Sequence, residues 1–94
     1  MTEIHISNLV NALLNKGLEK VESRHTMLWL VVGGRRRNIH TWISHGQRKA
    51  DDWLLNHIAR ELHLSKRELL QLIQCQIGGD DYASLMIERG HLRP

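Results

Sequence analysis

Ser23-Arg24-His25-Thr26-Met27-Leu28-Trp29-Leu30-Val31-Val32-Gly33-Gly34-Arg35-Arg36-Arg37-Asn38-Ile39-His40-Thr41-Trp42-Ile43-Ser44-His45-Gly46-Gln47-Arg48-Lys49 is the stretch on which the fold turns. Thr26 to Val32 is dense in β-forming residues, Gly33-Gly34 is a hairpin signal whose loop is Gly33-Gly34 or Gly33 to Arg36, and Arg36 to Ser44 reads as the returning strand. The number of residues left out of the pairing decides which side chains share a face. With an even number, Leu28, Leu30 and Val32 join Ile39, Thr41 and Ile43, while His25, Met27, Trp29 and Val31 join His40, Trp42 and Ser44. A three-residue loop would put His40 among leucines. Burying an unpaired imidazole is costly, so the even loop is the expected one.

Helical periodicity flanks the hairpin. Ile6, Leu9, Val10, Leu13 and Leu14 predict an amphipathic helix over residues 7–16, with Ser7 as N-cap and Gly17 at the left-handed C-terminal position. Leu18 to Arg24 follows as an edge strand whose charges discourage pairing with other chains. Leu54, Leu55, Ile58, Ala59 and Leu62 predict a second helix from Asp51 or Asp52. Ser65-Lys66-Arg67-Glu68 is a capping box and opens a third helix, with Leu69, Leu70 and Ile73 inward. Gly78-Gly79 breaks the chain, and Asp80 is placed to cap a fourth helix through Tyr82, Leu85 and Met86 to Gly90. The expectation is one α+β domain over residues 1–94. An α-β-β-β-α two-layer core fills residues 1–64, and residues 65–94 form a helical C-terminal extension of the helical layer.

Bulk properties narrow the chemistry. Ninety-four residues suit one domain with a modest core. A net charge of +3 and a pI near 9.5 fit a nucleic-acid partner without demanding one. The single cysteine, Cys75, excludes an internal disulfide, fits a reducing compartment and is expected in the core. No apolar run is long enough to span a membrane, and the first residues lack the pattern of a signal peptide, so a cytoplasmic location is expected.

His25 is the candidate acid or base, because imidazole titrates near neutral pH. Arg24, Arg35, Arg36, Arg37, His45, Arg48 and Lys49 are candidate phosphate contacts, the last two because they precede a helix start. The exposed-face set of Met27, Trp29, Val31 and Trp42 has two readings: bases stack on the tryptophans, or an apolar face is covered by a second copy, an antitoxin or the C-terminal helices. Association is the expectation, since for the added helices to reach round the sheet would require a longer linker than Leu64-Ser65. No metal or cofactor is expected. His57 and His63 are six apart, a Cys pair is lacking, and Gly33-Gly34 is followed by neither a helix nor Gly-Lys-Ser/Thr.

The α-β-β-β-α order resembles the double-stranded RNA-binding fold, and its details are similar to the HicA toxins of toxin–antitoxin pairs. That family's first helix ends in a glycine and a bulky apolar residue, here Gly17-Leu18. Its histidine follows a small basic turn, here Ser23-Arg24-His25, where the family usually has Gly-Ser-His. A polar, often histidine-containing loop precedes the second helix, here Ser44-His45-Gly46-Gln47-Arg48-Lys49. The resemblance covers roughly residues 6–75, beyond which the chain extends past the family's compact core. It implies a metal-independent endoribonuclease (an mRNA interferase) with His25 catalytic and a cognate antitoxin covering the site. The alternative is a non-catalytic module of the same fold that binds RNA or protein.

Overall fold

A computed structural model describes residues 3–93. In chain order the elements are β1 (Ile4–His5), α1 (Ile6–Leu14), β2 (Leu18–Glu22), β3 (Thr26–Val32), β4 (Arg35–Ile43), β5 (Lys49–Ala50), α2 (Asp52–Glu61), α3 (Lys66–Ile73) and α4 (Gly79–Glu88). The β2, β3 and β4 strands form an antiparallel sheet in sequential order. Together with four helices among the described residues, it makes a small α+β domain.

The hairpin closes on two glycines. Gly33 and Gly34 have φ of +64° and +77°, the left-handed pair that a tight turn between right-twisted strands requires. Val32 pairs with Arg35 and Val31 with Arg36, but beyond a bulge Trp29 pairs with His40 and Met27 with Trp42. The bulge admits two extra residues on β4, an even number, so side-chain parity survives it. The even-loop faces follow: Leu28, Leu30, Ile39, Thr41 and Ile43 are buried on the inner face. Val32, at the hairpin end, is only half-buried. Arg37 braces the bulge by donating from Nε and Nη2 to the Val32 carbonyl, at 3.3 and 3.2 Å.

All four helices feed one core through Leu9 and Leu13, Leu55 and Ile58, Leu69 and Leu72, and Tyr82 and Met86. The strand residues in that core are inner-face ones, so the helices form one layer and leave the other face of the sheet without helical cover. Each buried Leu or Ile side chain contributes roughly 1.5–3 kcal/mol by leaving water. Thr41 is fully buried yet satisfied, because its hydroxyl donates to Glu61 Oε1 at 2.7 Å.

Several local expectations shift. The first helix begins at Ile6 with His5 as N-cap, because Ile4 and His5 are drawn into an antiparallel pairing with Ala50 and Lys49. Ser7 is therefore inside the helix, not its cap. The Ser65–Glu68 capping box forms with both of its bonds. In α4 the cap position falls on Gly78, whose N–H donates to the Asp81 carboxylate, rather than on Asp80. Leu72 takes the deep position in α3, and Leu70 and Ile73 are half-buried. Cys75 is exposed at the end of α3 with φ of +64°, not a core residue.

Candidate nucleic-acid interface

The helix-free face carries Met27, Trp29 and Val31 from β3 and Arg36, His40 and Trp42 from β4. Apart from the exposed Arg36 these side chains are half-buried, since they lie against one another rather than under a second layer. Trp29 stacks on His40 across the strands, with ring centroids 4.3 Å apart and planes inclined by 22°. The Arg36 guanidinium lies 5.4 Å from the centre of the Trp29 ring and pairs with Glu19 at 3.3 Å. His25, just before β3, lies 4.5 Å from Trp42.

The array continues round the β4 edge onto α2. His57 meets Trp42 edge-on at 6.0 Å, and Trp53 stacks parallel on His57 at 5.6 Å. Trp53 is 73% exposed. Two imidazole nitrogens of the array, His40 Nδ1 and His57 Nε2, are buried without a hydrogen bond. His57 Nε2 does lie 3.2 Å from Glu61 Oε1, but without forming a hydrogen bond to it. We take that contact as a charge pairing available when the ring is protonated.

One end of the sheet gathers Arg24, His25 and His45. His45 is tied to this turn through Nε2, 2.9 Å from the Ser23 carbonyl, and its Nδ1 is 3.9 Å from Glu22. The turn itself is closed by a Ser23 N–H donating to the His25 carbonyl. The His25 imidazole makes no hydrogen bond or ion pair with the described residues, and Arg24 is exposed beside it.

The remaining basic candidates are dispersed. Of the triple arginine, Arg36 joins the tryptophan face, whereas Arg35 and Arg37 alternate to the other side and Arg37 is engaged with Val32. Arg48 and Lys49 do not stand at an open helix start. Lys49 lies in β5 and pairs with Glu3 at 3.6 Å; Arg48 holds the Ile6 N–H with its carbonyl and lines an open cleft with His5, Lys20 and Glu22. The α2 N-terminus is already supplied with carboxylates. Asp51 accepts from the Leu54 N–H, and Asp52 pairs with Lys66 at 2.6 Å.

Among the described residues no group of three or more His, Cys, Asp or Glu could hold a metal ion, and no helix is long and apolar enough to cross a membrane. Sequence reading missed Trp53, His40 and His57 as site residues. The available signal was the i, i+4 spacing of Trp53 and His57 on a helix that starts beside the third strand. No protein-family model, no curated protein and no solved structure matches the chain.

Proposed function

We propose that the chain is a cytoplasmic, HicA-like endoribonuclease that cleaves RNA at His25 and is restrained by a cognate antitoxin. The order of α1, the antiparallel β2–β3–β4 sheet and α2 supports a double-stranded RNA-binding-like core, to which β1, β5, α3 and α4 are additions. The observation that carries the reading is the state of His25. Its ring rests on Trp42 at the helix-free face, is not engaged by other described side chains, and stands next to the exposed Arg24. An imidazole so placed can take the proton of a ribose 2′-hydroxyl. The 2′-oxygen then bonds to the adjacent phosphorus, the P–O5′ bond breaks, and the leaving O5′ takes up a proton. The products are a 2′,3′-cyclic phosphate and a 5′-hydroxyl, and no other reactant is consumed. Arg24 would hold the phosphate, and His45, anchored to the same turn, is the second imidazole within that cluster.

The test compares wild type with His25→Ala, using gel assays of RNA cleavage and growth on expression, and circular dichroism as the fold control. Because His25 lies outside the core, the variant should keep its fold and lose cleavage and toxicity. A folded His25→Ala protein as active as wild type would overturn the reading. The non-catalytic alternative draws on the same His25–Trp42 contact, since an imidazole seated on an indole also serves packing. It is favoured if wild type binds RNA without cutting it.

A further inference from the structure

We propose that the helix-free sheet face, extended by the Trp53–His57 pair of α2, is a stacking platform for single-stranded RNA. The proposal names the binding surface for the RNA reading above and rests on that reading. All three tryptophans of the chain lie on this one surface. Each indole is backed by an imidazole from a neighbouring strand, turn or helix turn: Trp29 by His40, Trp42 by His25 and Trp53 by His57. A backed ring loses little further freedom when a base settles on its other face, which favours stacking over an adaptable contact.

Spacing selects the form of the nucleic acid. The Trp29–His40 row and the Met27–Trp42 row are two residues apart along the strands, about 6.8 Å at the usual strand rise. That is about twice the roughly 3.4 Å rise between stacked nucleotides of B-form DNA, and A-form RNA stacks its bases no further apart. Bases seated on successive rows must therefore be unstacked, which a single strand allows and a duplex does not. A duplex would also present phosphates rather than base faces, and Arg35 and Arg37 alternate away from this surface.

Charge favours RNA over a second copy of the chain. Between copies, the Arg36 guanidinium of each face would meet the same cation of the other, whereas beside a nucleic acid it meets phosphate, and the imidazoles and guanidinium that interleave with the indoles suit bases and phosphates together. Arg36 lies over Trp29 where a base would enter, so an incoming base exchanges with the guanidinium, which is then free to meet the adjoining phosphate. Glu19 is the partner that Arg36 would leave.

Because the three tryptophans are all on the platform, intrinsic fluorescence reports on it directly. The experiment titrates the full chain with a short 2′-O-methyl oligonucleotide, which lacks the attacking hydroxyl, and in parallel with a duplex of the same sequence. The single strand should quench the emission and bind more tightly than the duplex. Trp53→Ala removes an exposed ring and should weaken binding on the order of tenfold, within the range for loss of one stacked base. Arg36→Gln should reduce the dependence on salt. Absence of quenching, equal affinity for the duplex, or unchanged affinity of Trp53→Ala would overturn the proposal. So would emission that ignores RNA but changes with protein concentration, the signature of self-association. Failure of this platform with cleavage intact leaves the endoribonuclease reading standing. Binding to it without cleavage of unmodified RNA removes that reading and keeps the platform.

Discussion

His63 and Glu68 make the chain sensitive to acid in two separate ranges. His63 has φ of +60° and its ring stacks on His91, centroids 3.9 Å apart. Its pKa is lowered from 6.5, first by desolvation and then by the charge of His91. The unfolded chain therefore takes up this proton more readily than the folded one, so the contribution to stability is full above 6.5 and declines as the pH falls below it. Glu68 is pushed down to about 2, chiefly by the hydrogen bond from Arg89 and next by the Ser65 N–H. Its contribution is full above the ordinary value of 4.5 and is lost as the pH falls from there towards 2. Urea midpoints measured across this range should fall in two stages. His63→Asn, which tolerates the left-handed backbone, should flatten the upper stage alone; a midpoint curve identical to wild type would remove His63 from the account. At this scale the candidate site was partly legible. His25, Trp29 and Trp42 are identifiable because alternation assigns a face once the hairpin is found. His57 and Trp53 were not, since their relation to Trp42 depends on how α2 docks at the β4 edge.

At the scale of elements, the start of α4 makes a close backbone approach to the chain just past α1. A Cβ added at Gly79 would lie 3.0 Å from the Lys16 carbonyl oxygen and 3.1 Å from its carbon. Those neighbours are backbone, which cannot swing aside as a flexible side chain would. Gly79→Ala should therefore push α4 away from the end of α1 and cost about 1–3 kcal/mol, read as a lower urea midpoint at unchanged slope. A midpoint equal to wild type would mean that α4 shifts freely. The Gly78-Gly79 pair was legible only as a chain break, because a sequence shows a glycine but not the backbone facing it. The capping box was legible in full, since its partners are within three residues, whereas Gly33-Gly34 was legible as a hairpin with an even loop but not as a two-residue turn followed by a bulge. The β1–β5 pairing was not. It joins Ile4 to Ala50, two-residue strands far apart in the chain with no pattern of their own.

For the whole molecule, the division into an α-β-β-β-α core and a helical extension describes the order of elements but not the energetics. Leu69, Leu72, Tyr82 and Met86 have no exposed surface and belong to the same cluster as Leu9, Leu13 and Leu28. Tyr82 also donates its hydroxyl to the Leu62 carbonyl at 2.9 Å, satisfying an acceptor at the C-terminal end of α2. Burial pushes the Tyr82 pKa up, which keeps that donor protonated at any ordinary pH. The radius of gyration is 12.4 Å, the value expected of a single compact domain of this length and too small for a core with a loose appendage. Removing α3 and α4 would strip Leu69, Leu72, Tyr82 and Met86 from the shared core, expose the side chains they cover, and leave a fragment of the size at which burial is marginal. A fragment of residues 1–64 should accordingly show no cooperative unfolding transition, whereas the full chain unfolds in one step by both circular dichroism and tryptophan emission. Since every tryptophan lies before residue 64, both proteins carry the same fluorescent reporters and the comparison is direct. A fragment with a sigmoidal melt and native emission would show that the first 64 residues fold alone and that α3 and α4 are dispensable to the platform that they stand behind.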